Sequence, residues 1–429
     1  MTSSLSLLPI LSLVFALVAG VPTPTDPAGP QIDERGEVWG LGVPIKNADV
    51  VDIIPNSYIV VYNDSCPDAM VAEHQAKWVK TLATRNIGKR SPIDNRQIST
   101  QVQTFSIGTL RAMALDADDK SAIEINAAEE VAYIEADAYM NINALVRQSP
   151  ATTGLARLSA GAVGATDYVF DDSAGQGITA FIVDTGLMAN HTEFEGRAVQ
   201  AFNAVNDVDT DEEGHGSHVA GTIGGATFGV AKKVNLVGVK VLDAQGAGTN
   251  SRVLAGMNFV AQTVQQMGLA GKSVMNMSLG GGRSGAINSA INAIRAAGCV
   301  PVVAAGNENV DAANDSPASA PGAITVGAID QTTDARASFS NFGQAVDVFA
   351  PGVKVQSVGI KSTTSTATLS GTSMASPHVA GLVAYMMALE NITDVDAVAN
   401  RIKGLAASTN SSVRANALST TGLIAFNGV

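Results

Sequence analysis

The sequence predicts an α/β protein whose main body is a mostly parallel central sheet with helices on both faces, preceded by a smaller α/β unit. Three observations predict it. From residue 144 onward, short apolar segments alternate with segments of helical periodicity, the pattern of strands joined by crossover helices. The loops between them are rich in Gly and Ser, and the chain carries 42 glycines in 429 residues. Hydrophobic residues make up 46% and charged residues only 15%, the composition of an ordered, core-forming protein rather than a disordered or fibrous one. This length exceeds one ordinary domain, so two folded units, or one large unit and a processed segment, are expected.

The elements follow in order. An apolar run from Leu7 to Val18 is too short to span a bilayer comfortably and leads into Val21-Pro22-Thr23-Pro24. Residues 1–20 therefore read as a secretory signal peptide, with Val18 and Gly20 as small residues before the cut and no Lys or Arg ahead of the run. Residues 21–30 are Pro-rich and expected to be extended. A compact region starts near Pro55, with strand over 58–62, helix over 69–82, strand over 105–114, helix over 120–128 and strand over 130–143. This order suggests a small α/β sandwich. In the main body, strands are expected over 178–183, 235–242, 273–279, 300–304 and 323–326, and helices over 251–266, 285–297 and 376–389. No internal repeat is visible.

The formal net charge is −13, which argues against nucleic acid or an anionic membrane as a partner, since both favour basic patches. Residues 144–429 carry 21 acidic and 16 basic side chains against 18 and 10 for residues 1–143, so the acidity belongs mostly to the N-terminal part and says little about a substrate. Only two cysteines occur, Cys66 and Cys299. Cys299 lies in an apolar strand and reads as a packing residue rather than a nucleophile.

Three segments carry chemistry. Ile182-Val183-Asp184-Thr185-Gly186 puts an acid at the C-terminal end of an expected strand, where open α/β sheets place their ligands. Gly214-His215-Gly216-Ser217-His218 opens a helix just after the acidic stretch 207–213. Gly371-Thr372-Ser373-Met374-Ala375-Ser376-Pro377-His378 puts a hydroxyl at the start of an apolar helix, whose dipole and unpaired N–H groups favour developing negative charge. A serine is a poor nucleophile until an imidazole takes its proton, and that imidazole needs a carboxylate to fix its tautomer. Asp184, His215 and Ser373 are the candidates, and Asn307, after the strand segment Val303-Ala304-Ala305-Gly306, is the candidate side-chain donor to an oxyanion.

Each has an ordinary alternative. An Asp before Thr-Gly is a turn or cap residue, a Ser opening a helix is an N-cap, and an Asn after Gly is a turn signal. His215 and His218 form a His-x-x-His pair, but no Glu or Cys completes a zinc set at usable spacing. His74, His191, His218 and His378 read as helix or loop residues. Gly268-Leu269-Ala270-Gly271-Lys272-Ser273 approaches a phosphate loop, yet Gln266 stands where a Gly is needed and the segment enters a strand.

Acid, base and nucleophile stand in the chain order Asp, His, Ser. With Gly154-Leu155-Ala156-Arg157, Gly238-Val239-Lys240-Val241-Leu242-Asp243 and Ser338-Phe339-Ser340-Asn341-Phe342-Gly343, the chain resembles the subtilase serine proteases over nearly its whole length, and most of all the secreted proteinase K-type fungal branch. The resemblance implies a subtilisin-like fold, Asp184, His215 and Ser373 as catalytic triad, and Asn307 as oxyanion donor. It implies a polypeptide substrate added as a strand along Ser278-Leu279-Gly280, with Gly246 and Gly248 on the other side. An apolar S1 wall of Ala304, Ala305 and Gly306 facing Leu279 and Gly280 implies broad cleavage after large apolar or aromatic residues. Asn250 stands where the branch has an aromatic residue, which leaves the S4 preference open.

Calcium is the implied cofactor, held by Asp347 and the carbonyls of Pro321 and Ala323, although Asp347 read alone is an ordinary exposed carboxylate. A weaker family site is lost, because Gly404 stands at the position of its Asp. The implied domain order is a signal peptide over 1–20, a propeptide over 21–143 and a peptidase domain over 144–429, with self-cleavage after Asn143. The compact part of the propeptide, 55–143, is expected to be ferredoxin-like, to assist folding and then to act as an intramolecular inhibitor. The processed enzyme is expected to be an extracellular monomer without a membrane partner.

Departures from the branch are specific. Ser217 replaces a Thr, Val219 replaces the cysteine beside the catalytic histidine, and the branch's disulfides are missing. Glycosylation sequons occur at Asn63, Asn190, Asn276, Asn314, Asn391 and Asn410, of which Asn276 falls in a core strand and is not expected to be used. A secreted binding protein on the same scaffold is the non-enzymatic alternative, but no triad member is missing.

Overall fold

The structure is a computed structural model that describes residues 31–32, 38–39, 43–47, 53–139 and 145–429. The expected signal peptide, the Pro-rich stretch 21–30 and the expected cut after Asn143 lie outside the described residues. The chain forms two compact units that divide in sequence at Ile142 and Asn143.

The N-terminal unit runs β1 (Ile53–Tyr62), α1 (Asp68–Arg85), β2 (Val102–Ile107), β3 (Leu110–Asp116), α2 (Asp119–Asn126) and β4 (Val131–Ala138). These four strands pair antiparallel in the order β2-β3-β1-β4, the split arrangement of ferredoxin-like folds, while Gln31–Ile32 and Val38–Trp39 form a separate antiparallel pair. Helix α1 buries Val71, His74, Trp78 and Leu82, a stripe at spacings of three and four that packs on Tyr58, Val60, Met113 and Ile134 of the sheet. Asp118 caps α2 by accepting from the Ser121 amide at 2.8 Å.

One expectation is corrected here. Residues 105–114 are not a single strand but a hairpin, because Gly108 at φ 61° lets the chain reverse in a two-residue loop between β2 and β3. Period-2 apolarity continues through both arms, so the sequence pattern hid the turn.

The C-terminal unit is built on an eight-stranded sheet. Its strands are β7 (Thr179–Asp184), β8 (Ala198–Asn203), β9 (Asn235–Lys240), β10 (Ser273–Met277), β12 (Cys299–Ala304), β14 (Ile324–Asp330), β15 (Ala335–Arg336) and β16 (Val348–Pro351). The order is β8-β9-β7-β10-β12-β14-β15, with β16 also on β14, and every pairing is parallel except that of β14 with β15. The remaining strands form small antiparallel pairs: β5 (Leu145–Gln148) with β6 (Tyr168–Asp171), β11 (Gly281–Gly282) with β13 (Asp315–Ser316), and β17 (Val355–Val358) with β18 (Thr366–Leu369).

Both faces of the sheet are dry. In β7, Ala180 and Ile182 enter one apolar cluster while Phe181 and Val183 enter another, and Val274 against Met275 in β10 divides the same way. That alternation follows from the pleat, and apolar residues on both sides are what a parallel sheet covered on both faces requires. Helices α5 (Asn250–Gln266) and α6 (Gly285–Ala296) cover one face. Helices α4 (His215–Gly224), α7 (Thr372–Glu390) and α8 (Val395–Ser408) cover the other; a short α3 (Thr153–Leu158) completes the unit. The helix α7 is buried on nearly every side, which is why its sequence shows no polar stripe. No helix among the described residues is long and apolar enough to cross a membrane.

Candidate active site

The C-terminal edge of the large sheet gathers the candidate catalytic and cleft residues, whereas Pro321, Ala323 and Asp347 precede β14 and β16 at the other edge. Asp184 is the last residue of β7, paired in register with Lys240 at the end of β9. It is 0% exposed, and its Oδ1 accepts from His215 Nδ1 at 2.8 Å and from the Thr185 amide at 2.8 Å. A carboxylate on Nδ1 fixes the neutral ring as the Nδ1–H tautomer and leaves the Nε2 lone pair outward, the atom a general base uses. His215 opens α4 because Gly214, at φ 108°, turns the chain into the helix. Burial favours its neutral form, but the charge and hydrogen bond of Asp184, then the charges of Glu213 and Asp211, outweigh it and raise the imidazole pKa from 6.5 to about 9.

Ser373 is the second residue of α7. Its Oγ donates to the Ser278 carbonyl at 3.1 Å, so in this state the hydroxyl is turned to the cleft edge rather than to His215. Pro377 lies four residues further along the helix and has no N–H, which leaves the Ser373 carbonyl without its helical donor. Ser278 Oγ takes that place at 2.8 Å. Ser278 is held in turn by Asn276, whose Oδ1 accepts from Ser376 at 2.7 Å. A buried polar chain thus ties the nucleophile's helix to the edge 278–280. It also removes Asn276, 0% exposed, from any role as a glycosylation site of the folded chain.

Asn307 follows β12. Its Oδ1 accepts from both the amide and the hydroxyl of Thr372, at 2.8 and 2.9 Å. Because an amide N–H can only donate, that oxygen is assigned by chemistry, and the NH2 group must point the other way. A methyl group placed on Gly371 would sit 3.5 Å from Asn307 Nδ2 and 3.6 Å from the Ser373 amide nitrogen. Asn307 Oδ1 is also 3.6 Å from that point, but it is taken by Thr372, so Nδ2 and the Ser373 amide are the two donors left beside it.

A cleft of about 440 Å³ runs past His215 between Ser278-Leu279-Gly280 on one side and Gly246, Gly248 and Asn250 on the other. Leu242, Val253 and Ile287 supply apolar surface to it. Ala304 and Ala305 are 5% and 0% exposed. Their methyl groups pack inward, so a wall built from them is main chain. Behind Gly306, Asn341 Nδ2 donates to Glu308 at 3.0 Å and to Asp315 at 2.9 Å.

The implied calcium ligand Asp347 already has partners on both oxygens. Asp347 Oδ2 accepts from the Thr325 amide at 2.9 Å, while Oδ1 faces Lys403 Nζ at 3.5 Å. The donors are oxygens, which suits a hard cation, and Lys403 is exposed enough to swing aside. Asp347 is the one side-chain carboxylate of the implied set, and among the described residues no group of three or more His, Cys, Asp and Glu side chains gathers to hold a metal ion, so a calcium ion there would rest mainly on main-chain oxygens, with the Lys403 ammonium as its competitor.

The remaining histidines are structural. His74 Nε2 accepts from Trp78 at 3.1 Å, His191 Nδ1 from the Glu193 amide at 3.2 Å, His218 Nε2 meets the Val355 carbonyl at 3.0 Å, and His378 Nδ1 the Met374 carbonyl at 2.7 Å. Cys299 is fully buried, and burial pushes its thiol up to about 12, far from reactivity. Sequence reasoning missed Thr372, Thr185 and Asp211, which hold the reacting groups. Each looks like an ordinary turn or loop residue until its partners are known.

A buried acid on an imidazole, a serine at a helix N-terminus and two convergent N–H donors are the parts from which acyl transfer is built. Residues 175–422 match the family model described as the subtilase family. The chain is 46% identical over 385 residues to Subtilisin-like protease 2 of Pseudogymnoascus destructans, covering 90% of this chain and 92% of that one. It is 43% identical over 388 residues to Alkaline protease 1 of Emericella nidulans, covering 90% and 95%. The crystal structure of a cold adapted subtilisin-like serine proteinase superimposes with a TM-score of 0.60 at 40% identity, covering 65% of this chain and 99% of that one. This is a serine endopeptidase, and the chain belongs to the subtilase family.

Proposed function

We propose that the protein is a secreted endopeptidase of broad specificity, made as a self-processed zymogen and acting through an acyl-enzyme. Ser373 is the nucleophile, His215 the general base and then general acid, Asp184 its orienting carboxylate, and Asn307 with the Ser373 amide the oxyanion donors. The observation that carries this reading is the 2.8 Å contact of Asp184 with His215 Nδ1, in a cleft beside a serine whose amide and Asn307 share one space. Residues 1–20 are the signal peptide and 21–143 the propeptide, which is cut after Asn143 and remains as an intramolecular inhibitor. A sulfonyl fluoride should modify Ser373 alone, as read by peptide mass mapping. No labelling, or labelling elsewhere, would remove Ser373 from this role.

Substrate backbone adds along 278–280, and large apolar or aromatic P1 side chains enter between that edge and the main chain of 304–306. A second P1 reading comes from Glu308 and Asp315, two carboxylates behind Gly306 that share one amide donor. A long basic P1 chain reaching them would be favoured. Cleavage-site profiling on a mixed peptide library separates the two.

The general base must be neutral to take the serine proton, so its raised pKa has two consequences of opposite sign. The kcat/KM of the free enzyme should rise with pH through about 9 and then level off. The pairing of imidazolium with Asp184 adds stability that is fully present below 6.5 and is lost as pH rises through about 9. A kcat/KM profile already flat from pH 7 upward would contradict both. That relatives bear the name alkaline protease agrees with the first.

Calcium at Asp347 with the carbonyls of Pro321 and Ala323 belongs to the same proposal, as a structural ion tying the segment before β14 to that before β16. Adding a calcium chelator should lower Tm by roughly 5 °C. Lys403→Ala should tighten calcium binding measured by titration calorimetry. A Tm indifferent to chelator in both proteins would remove the site.

A further inference from the structure

Within the acidic stretch 207–213, one carboxylate behaves unlike the rest. Asp211 is 5% exposed, whereas Asp207, Asp209, Glu212 and Glu213 face solvent. It takes five hydrogen bonds. Oδ1 accepts from Thr185 Oγ1 at 2.8 Å, the Gly214 amide at 2.8 Å and the Glu213 amide at 3.1 Å. Oδ2 accepts from the Ser217 amide at 2.9 Å and from Ser217 Oγ at 2.7 Å. All five partners donate, the set an ionised carboxylate satisfies.

The partners are the neighbours of the reacting groups. Thr185 follows Asp184, Gly214 precedes His215, and Ser217 lies two residues after it. Thr185 Oγ1 also accepts from the Gly216 amide at 2.9 Å, and Ser217 Oγ from the Met188 amide at 2.9 Å. These bonds close a ring between the chain leaving β7 and the first turn of α4. The stretch carrying Asp211 is itself anchored by Lys240, 0% exposed, whose Nζ donates to the carbonyls of Val208 and Thr210 at 3.1 and 2.9 Å and to Glu212 at 2.6 Å.

We propose that Asp211 is a positioning residue of the reaction, whose buried carboxylate locks the Asp184 strand end to the His215 helix start and sets the field in which His215 takes the serine proton. This rests on His215 being the general base. Two effects follow from one group. Geometrically, acid and base cannot drift apart while one carboxylate holds both, and small misplacements of reacting groups are costly. Electrostatically, burial favours a neutral imidazole, and against it Asp184, Glu213 and Asp211 hold the His215 proton more tightly. The other titratable groups facing α4 are Lys240 on β9, paired with Glu212, His378 on α7, His218 on α4 itself, and His191 and Glu193 at the turn Thr192–Phe194. Strand β17, also packed on α4, carries no charge.

The experiment compares Asp211→Asn and Ser217→Ala with wild type in the full chain, counting active sites with a sulfonyl fluoride. Asn keeps the shape but turns a donor towards the Ser217 donors and removes the charge. Its kcat should fall about ten- to a hundredfold with KM within about twofold, and the midpoint of its kcat/KM profile should move to lower pH. Ser217→Ala removes the hydroxyl that donates to Asp211 and accepts from the Met188 amide, without changing charge, so kcat should fall several-fold while the midpoint stays. Wild-type kcat and midpoint in Asp211→Asn would overturn the proposal, and so would equal midpoint shifts in both variants. If Asp211→Asn yields no active sites, Ser217→Ala decides, and an unchanged kcat there overturns it. Absence of labelling in wild type would instead strike the reading of Ser373 and leave the Asp211 ring as observed.

Discussion

Ser373→Ala is expected to abolish peptide hydrolysis while leaving the fold intact. The loss should be roughly a millionfold in kcat, the size found for the triad serine of subtilisin, a member of this family. The structural change is small by comparison. Ser373 Oγ makes one hydrogen bond, to the Ser278 carbonyl at 3.1 Å, and its own carbonyl keeps the bond from Ser278 Oγ. Removing one such bond costs about 1 kcal/mol, so thermal unfolding of the variant should sit within a few degrees of the uncleaved wild type. The same variant tests self-processing. If the cut near Asn143 is made by the chain's own triad, the variant accumulates at full length, and a trace of wild-type enzyme restores the cut. Processing of the pure variant, in a host without other proteases, would show that the cut does not depend on Ser373 and would separate zymogen processing from the proposed triad.

How much of this was legible in the sequence depends on whether a residue's chemistry is local. The strands β7, β9, β10 and β12 and the helices α5 and α6 were legible because parallel strands buried on both faces are continuous apolar runs and their covering helices keep a 3.6-residue stripe. β8 was not, since Ala198–Asn203 mixes Gln and Asn into a short segment, and its Gln200 side chain serves the Leu187 amide and the Phe202 carbonyl. The hairpin of β2 and β3 was missed because one Gly is a weak signal inside an alternating pattern. Asp184, His215, Ser373 and Asn307 stood out by motif. Asp211 did not, although it lies four residues from His215. An acidic run normally reads as a solvated surface, and only the buried Lys240 beneath it reveals that one of its carboxylates turns inward. Thr372 was hidden likewise, as a helix-opening Thr whose partner is 65 residues away.

That long-range bond decides what Asn307 can do. An asparagine amide offers an acceptor and a donor of nearly the same size, and only the donor stabilises an oxyanion. Thr372 settles the orientation, because its amide and hydroxyl both donate to Oδ1 and a flipped side chain would set donor against donor. Asn307→Leu should therefore lose about 10²–10³ in kcat, the size found for the oxyanion asparagine of subtilisin, with KM nearly unchanged. Asn307→Asp should be at least as damaging, since the same two bonds from Thr372 would hold a carboxylate whose second oxygen faces the developing charge. Thr372→Val then becomes diagnostic. It keeps the amide bond to Oδ1 but loses the hydroxyl bond, and with it the acceptor of the Gly306 amide at 3.1 Å, so the donor wavers without being removed; kcat should fall about tenfold or less, and the double variant with Asn307→Leu should fall little further than Asn307→Leu alone. Full additivity of the two would mean that Thr372 acts through something other than Asn307, and an Asn307→Leu enzyme with normal kcat would mean that the Ser373 amide alone carries the oxyanion.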